Sequence, residues 1–164
     1  MGTSLETTAV ADGPRGVGGW LQFFIVSAIF LGPLFSAGGT SGSISQAEFG
    51  NPALLSYEPW ASYKTAAWTL VVIRICLTIA AGICLATRKV PSSVRLTKWV
   101  LWIAGPISNI IDSFVLLPLV LGISLSPNVA AQAVGGLVAA VIVAGAWHAY
   151  FARSKRVRNT YYRG

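Results

Sequence analysis

Charged residues are scarce in this chain of 164 amino acids: Asp, Glu, Lys and Arg together make up 10% of it. Soluble domains carry about a quarter, so this composition excludes an ordinary soluble domain. Cysteine is scarce too. Cys76 and Cys84 stand eight positions apart in one apolar run, which is about 12 Å along a helix and too far for a disulfide. The sequence therefore excludes a disulfide-stabilised domain.

Recognisable catalytic patterns are also missing. The chain has no Gly-Lys phosphate loop, no Gly-x-Ser-x-Gly elbow and no His-Glu-x-x-His motif. It has five carboxylates, and no two of them share an apolar run. We therefore expect no catalytic residue, no metal site and no cofactor, and we interpret the chain as a non-enzyme.

Long apolar runs are what the chain has in abundance: 54% of its residues are hydrophobic, and its mean hydropathy is +0.67. Four runs reach the roughly 20 residues that cross about 30 Å of hydrocarbon. Backbone groups cannot stay unpaired in lipid, so these runs should be helical. We predict an all-α membrane protein with four transmembrane helices, antiparallel in sequence order, at about 18–37, 66–87, 99–121 and 130–151.

The segments outside these runs complete the predicted organisation. Residues 1–17 are predicted to be a flexible cytoplasmic tail, 18–151 the transmembrane domain, and 152–164 a basic cytoplasmic tail. The first connection, about 38–65, is predicted to be the one longer extracytoplasmic loop, with a flexible stretch at GGTSGSIS.

Basic residues are concentrated in the second connection and the C-terminal tail. The first connection instead carries Glu48 and Glu58 against Lys64. This is the positive-inside pattern, so we predict that both termini are cytoplasmic. The net charge of +7 therefore does not indicate nucleic-acid binding. The same basic residues are predicted to set the topology and to contact anionic lipid head groups: Arg88, Lys89, Arg95, Lys98, Lys155, Arg156 and Arg158.

Two charged residues, Arg74 and Asp112, interrupt the apolar runs at similar depths, about 12 and 14 Å from the outer ends of their spans. We predict that they form an intramembrane ion pair, because unpaired charges are costly in lipid. Two interpretations stay open: a static pair that fixes helix register, or part of a proton or ion pathway. Antiparallel packing would form three layers from Arg74 with Asp112, Thr78 with Ser108 and Gly82 with Ala104, and Asn109 would be a further polar neighbour.

The fourth run carries small residues at a spacing of four that ends in the single histidine. Small residues at this spacing let helices approach closely, so they predict a packing face. We interpret the histidine as a hydrogen-bonded packing residue; haem or metal ligation is the alternative, for which no second ligand stands at matching depth. The face consists of Gly136, Ala140, Ala144 and His148.

Two segments at opposite ends of the chain resemble a known family. Residues 16–34 contain Gly-Gly-Trp-Leu, an apolar run and Pro-Leu, and residues 149–162 contain Tyr-Phe, Ser-Lys-Arg-Val and Thr-aromatic. Both resemble the domain of unknown function family number 2569. The resemblance implies a small four-helix protein of the bacterial inner membrane and transfers no activity. The matching residues are Gly18, Gly19, Trp20, Leu21 and Pro33, then Tyr150, Ser154, Lys155, Arg156, Val157 and Thr160, with Tyr161 where Phe would be usual.

These two segments should meet if both termini lie on one side of the membrane. We therefore expect the Gly-Gly-Trp segment to pack against the start of the C-terminal tail and to order it at the inner surface.

Three functions stay open from the sequence. The preferred one is a non-enzymatic accessory or scaffold subunit of a membrane assembly, with other membrane subunits or a second copy as partners besides the bilayer. The first alternative is a small proton- or ion-coupled transporter using Arg74 and Asp112. A polar cavity reaching this pair would favour transport, and a closed pair would favour the scaffold. The second alternative, a quinone- or haem-associated subunit, depends on Trp99, Trp102, Trp147 and His148.

Overall fold

The computed structural model describes residues 15–122 and 126–162, and these residues are almost entirely helical, with no strand. Four helices are long and apolar enough to cross a membrane: α1 (Trp20–Gly50), α2 (Glu58–Thr87), α3 (Pro91–Leu121) and α4 (Pro127–Arg153). A short helix, α5 (Lys155–Tyr161), follows α4. The predicted all-α fold with four membrane helices is confirmed. Residues 1–14 of the predicted N-terminal tail lie outside the described residues.

The first helix is much longer than its apolar run. Hydropathy predicts an end near residue 37, but α1 continues through the GGTSGSIS stretch to Gly50. Packing against α2 overrides the low helix propensity of Gly and Ser. Glu48 at the end of α1 accepts hydrogen bonds from Trp60 and Lys64 of α2. The expected long flexible loop is therefore absent from this part of the chain, and a 3-10 turn (Pro52–Ser56) makes most of the connection.

Prolines explain where α2 and α3 begin. Pro59 and Pro91 each occupy the first turn of a helix. Backbone N–H groups there have no acceptor within the helix, so a proline costs no hydrogen bond. Both helices therefore start about two turns before their apolar runs. As a result, Arg95 and Lys98, which the sequence assigned to a loop, lie on the first turns of α3.

In the described part of the chain, three π-helical turns interrupt the long helices, at Ser27–Leu31, Ile103–Ile107 and Ile111–Leu116. Each contains or just precedes a proline, namely Pro33, Pro106 and Pro118. A proline removes one donor from the helical ladder, and a wider turn accommodates the loss. Each π turn also shifts the angular position of the residues beyond it, which matters for Asp112.

The main hydrophobic core lies at one end of the bundle, where α5 packs across the ends of the long helices. We call this the basic end, because it carries α5 and the connection between α2 and α3. The opposite end carries the connection between α1 and α2, and we call it the cavity end after the cavity described below. Residues 16–19 reach α5 at the basic end. The core cluster draws on all four long helices and on α5: Leu21, Phe24, Ile25, Leu85, Val94, Phe151, Val157 and Tyr161.

Candidate functional site

Asp112 has a different partner from the one that the sequence predicted. The Tyr63 hydroxyl donates a hydrogen bond to Asp112 Oδ1 at 3.5 Å. Within the described ranges no direct ion pair joins Asp112 to Arg74, although the two charges still interact through space. Arg74 Nε is buried without a hydrogen-bond partner. The π turn at Ile103–Ile107 shifts the angular position of the residues beyond it, including Asp112, so a spacing of 3.6 residues per turn predicts the wrong neighbour.

The two hydroxyls of the predicted Thr78–Ser108 layer do not bond to each other. The Thr78 hydroxyl donates to the carbonyls of Arg74 and Ile75 in its own helix, each at 3.0 Å. The Ser108 hydroxyl likewise donates within α3, to the Ile103 carbonyl at 2.7 Å. Neither hydroxyl bonds across the α2–α3 contact, so both are satisfied locally.

Gly82 faces α1 rather than α3. A Cβ placed on Gly82 would lie 2.7 Å from Ile29 Cγ1, whereas Ala81 packs beside Ala104. A helix face turns by about 40° at each four-residue step, so Gly82 has turned by about 80° from Arg74. Gly82 therefore provides a close crossing between α1 and α2.

A cavity of about 580 Å³ lies between α1, α2 and α3 near the cavity end, and Asp112 lines it. One wall is a polar stripe of α1, which presents Ser36, Thr40 and Ser43. The spacing of these residues, four and then three, places them on one helix face. This spacing was a usable signal in the sequence, but Ser36 lay at the end of the predicted first span, and Thr40 and Ser43 lay in the segment predicted to be a loop.

The second wall is an aromatic pair. The rings of Trp60 and Tyr63 stack with centroids 5.2 Å apart and planes 24° apart, and both residues line the cavity. Trp60 Nε1 donates to Glu48 Oε1 at 2.9 Å, and Lys64 Nζ lies 2.7 Å from the same oxygen. Glu48 therefore holds the Trp60 side chain in place through this hydrogen bond. Nothing in the local sequence pattern assigns this role to either aromatic residue.

The rest of the lining is mostly apolar. Leu54, Leu117 and Leu121 contribute side chains. The Tyr57 hydroxyl donates to the Leu121 carbonyl at 3.3 Å, which ties the start of α2 to the end of α3. The cavity thus combines one carboxylate, an aromatic pair and hydroxyl groups within apolar walls.

The small-residue face of α4 lies against α3. Gly136 sits beside Asn109, whose Nδ2 would be 3.4 Å from a Cβ at that position, and Gly105 on α3 faces the carbonyl of Ala140. Ala144 is buried in the same contact region. Asn109 therefore faces α4 rather than Asp112, and its Oδ1 is buried without a hydrogen-bond partner.

His148, the last residue of this face, accepts a hydrogen bond from α3. Trp102 Nε1 lies 3.2 Å from His148 Nδ1. An indole N–H can only donate, so Nδ1 carries the lone pair and Nε2 carries the proton. A neutral imidazole has one ring lone pair, and Trp102 occupies it here. The arrangement therefore does not fit haem or metal ligation by His148. Among residues 15–122 and 126–162, no three His, Cys, Asp or Glu side chains group as a metal site.

At the basic end, the N-terminal segment and the C-terminal tail meet through backbone and glycine contacts. The Gly16 N–H donates to Thr160 Oγ1 at 2.9 Å. A Cβ placed on Gly18 would lie 2.5 Å from Arg156 Nη1, so the guanidinium rests against the bare backbone. Trp20 itself is 68% exposed, and its ring contacts Trp147 of α4. The contacts that join the two segments come from the glycines.

Tyr161 anchors the tail to α2. Its side chain is 1% exposed, and its hydroxyl donates to the Leu85 carbonyl at 2.6 Å. Leu85 lies in the last turn of α2, where carbonyls lack a partner within the helix. Burial, and secondarily the charge of Tyr150, raises the pKa of Tyr161 to about 12.

The predicted head-group residues lie at the basic end. Arg88, Lys89, Arg95, Lys155 and Arg158 are exposed, and Lys98 and Arg156 are half-buried. The carboxylates of the described residues all lie elsewhere, at Glu48, Glu58 and Asp112. Within residues 15–122 and 126–162, the two ends therefore differ strongly in charge.

Comparison with known proteins identifies a family that the chain matches. The model of a family described as "Protein of unknown function (DUF2569)" matches residues 14–162, which is nearly the whole chain. No curated protein and no solved structure matches the chain. The resemblance found at the two ends of the sequence is thereby confirmed. The chain belongs to the DUF2569 family of proteins of unknown function.

Proposed function

We propose that this protein is a small, non-enzymatic membrane transporter that binds a proton or a cation at Asp112. The observation that carries the proposal is the cavity of about 580 Å³ that joins Asp112 to the cavity end. A closed pair of Arg74 and Asp112 would have favoured a purely structural role. An ionisable group inside a membrane is costly, so one that faces a cavity is a natural site for an exchangeable charge.

The surroundings of Asp112 support this role. Its carboxylate receives a hydrogen bond from Tyr63 and lacks a direct ion pair with Arg74, so it retains capacity for a further partner. Arg74 interacts with Asp112 through space but is not among the residues that line the cavity. The π turn at Ile111–Leu116 makes the backbone hydrogen bonding of α3 less regular at Asp112, where the proton or cation would bind.

The test uses purified protein in liposomes that enclose a pH-sensitive dye, with an imposed membrane potential. We expect the wild-type protein to carry protons and Asp112→Asn to reduce the flux at least tenfold. Glu58→Gln is the matched control, because it removes a carboxylate near the same end without touching the cavity. Equal flux in the Asp112→Asn and wild-type proteins would overturn the proposal.

A second candidate is the accessory or scaffold subunit. One face of α2 is an open surface that presents Lys64, Thr65, Trp68, Thr69 and Val72, and it favours a helix of another subunit or of a second copy. Gentle detergent extraction followed by mass spectrometry tests this candidate. A stoichiometric partner that is lost on Thr69→Trp, but kept in Asp112→Asn, would favour the scaffold over transport.

We also propose that the basic end faces the cytoplasm of a bacterial inner membrane, where its basic side chains contact anionic lipid head groups. The charge difference between the two ends supports this orientation.

A further inference from the structure

We propose that the cavity is a binding site for a small organic cation, whose protonated or quaternary amine lies between Asp112 and the aromatic pair Trp60–Tyr63. The inference names a substrate class for the site at Asp112 and so rests on the proposed function.

The aromatic pair and the carboxylate adjoin each other. The Tyr63 hydroxyl lies 3.5 Å from Asp112 Oδ1, and the Tyr63 ring stacks on Trp60. The faces of Trp and Tyr attract cations through the quadrupole of the ring, most strongly where water is excluded. One positive group can therefore contact an aromatic surface and the carboxylate together.

Asp112 is the free carboxylate of this region. Glu48, close behind Trp60, is already neutralised by Lys64 at 2.7 Å. Among the residues that the structure describes, Tyr63 is the hydrogen-bond donor to Asp112, and two carboxylate oxygens accept about four hydrogen bonds. Arg74 does not line the cavity. A bound amine would therefore meet one negative group and no positive one on the cavity surface.

Size and wall chemistry favour an organic cation over a bare metal ion. Small-molecule pockets measure about 300–1,000 Å³, and this cavity measures about 580 Å³. Leucines at 54, 117 and 121 offer apolar contact to a carbon skeleton. A hard cation such as Ca²⁺ needs six or more oxygens within about 2.6 Å, and the described residues do not gather such a set of acidic side chains.

Glycines in α1 provide a matched pair of variants. A Cβ at Gly39 or Gly38 meets no atom within 4 Å, and both positions are in regular helix, so a side chain can begin at either without displacing a neighbour. Gly39 lines the cavity and Gly38 does not. Gly39→Leu therefore fills the site, while Gly38→Leu makes the same chemical change outside it.

The probe is radiolabelled benzyltrimethylammonium, and its binding to purified detergent-solubilised protein is measured by equilibrium dialysis. We expect saturable binding by the wild-type and Gly38→Leu proteins. Asp112→Asn should weaken it about tenfold or more, as expected for a lost interaction with a charged group. Gly39→Leu should weaken it comparably by occupying the space.

Absence of saturable binding by the wild-type protein, or equal affinity in Gly39→Leu and Gly38→Leu, would overturn the inference. The result is separable from the transport assay. If Asp112→Asn and Gly39→Leu both lose amine binding but the wild-type protein carries no protons in liposomes, the binding site is supported and the transport proposal is overturned. If proton flux depends on Asp112 but no amine binds, the transport proposal is supported and the binding inference is overturned.

Discussion

At the scale of single residues, the polar groups inside the bundle divide into two kinds. The hydroxyls of Thr78 and Ser108 bond to carbonyls of their own helices, so they need nothing from a neighbour. Asp112, Arg74 and Asn109 are only partly satisfied. Their positions inside apolar runs could be predicted from the sequence, but their partners could not, because a partner depends on the angular position of each helix.

Tyr161→Phe is expected to destabilise the protein by about 1 kcal/mol, since it removes a buried hydrogen bond and leaves the Leu85 carbonyl unpaired. Thermal unfolding in detergent measures the effect. Tyr162→Phe is the control, because Tyr162 is 52% exposed and should leave the melting temperature unchanged. Equal melting of the two variants would contradict the anchoring role of Tyr161.

Tyr161 also makes stability depend on alkaline pH. Its pKa rises from 10.0 to about 12 on folding, chiefly through burial, so the folded state favours the neutral hydroxyl. This contribution is complete below the unfolded pKa and disappears as the pH climbs from 10 to 12. The wild-type protein should therefore lose more stability across this window than Tyr161→Phe does. Parallel losses in the two proteins would show that other groups cause the change.

At the scale of helices, the crossing of α1 and α2 depends on the absence of a side chain at Gly82. Gly82→Ala would place a Cβ 2.7 Å from Ile29 Cγ1, and we expect overpacking of this kind to cost about 1–3 kcal/mol. Unfolding by added SDS measures the change.

Two further variants sharpen that test. Gly135→Ala on α4 is the control, because a Cβ there meets no atom within 4 Å. The double variant Gly82→Ala with Ile29→Ala should recover part of the loss by freeing the space. A Gly82→Ala protein as stable as Gly135→Ala would refute the close crossing.

Helix existence was easier to predict than helix length. Apolar runs identified all four spans, since hydrocarbon thickness dictates how many apolar residues a span needs. They missed the extension of α1 to Gly50 and of α3 back to Pro91. Those ends are set by contacts such as Glu48 with Trp60 and Lys64 and by a proline in the first turn, neither of which hydropathy detects.

At the scale of the whole molecule, the charged side chains that the structure describes are distributed unevenly between the two ends. We expect the basic end to be cytoplasmic. Green fluorescent protein fused after the C-terminus should therefore fluoresce, and alkaline phosphatase fused there should be inactive. Phosphatase fused after Gly122, in the α3–α4 connection, should be active. The opposite pattern at both positions would invert the proposed orientation.

The sequence by itself determined the class of protein, the number of spans, the family and the two intramembrane charges, because these follow from composition and from order along the chain. Tertiary structure decided which groups converge. It brought Tyr63 to Asp112, Trp60 to Glu48 and Tyr161 to Leu85. The physical reason is that convergence depends on helix phase, and each π turn alters that phase in a way that a fixed period does not predict.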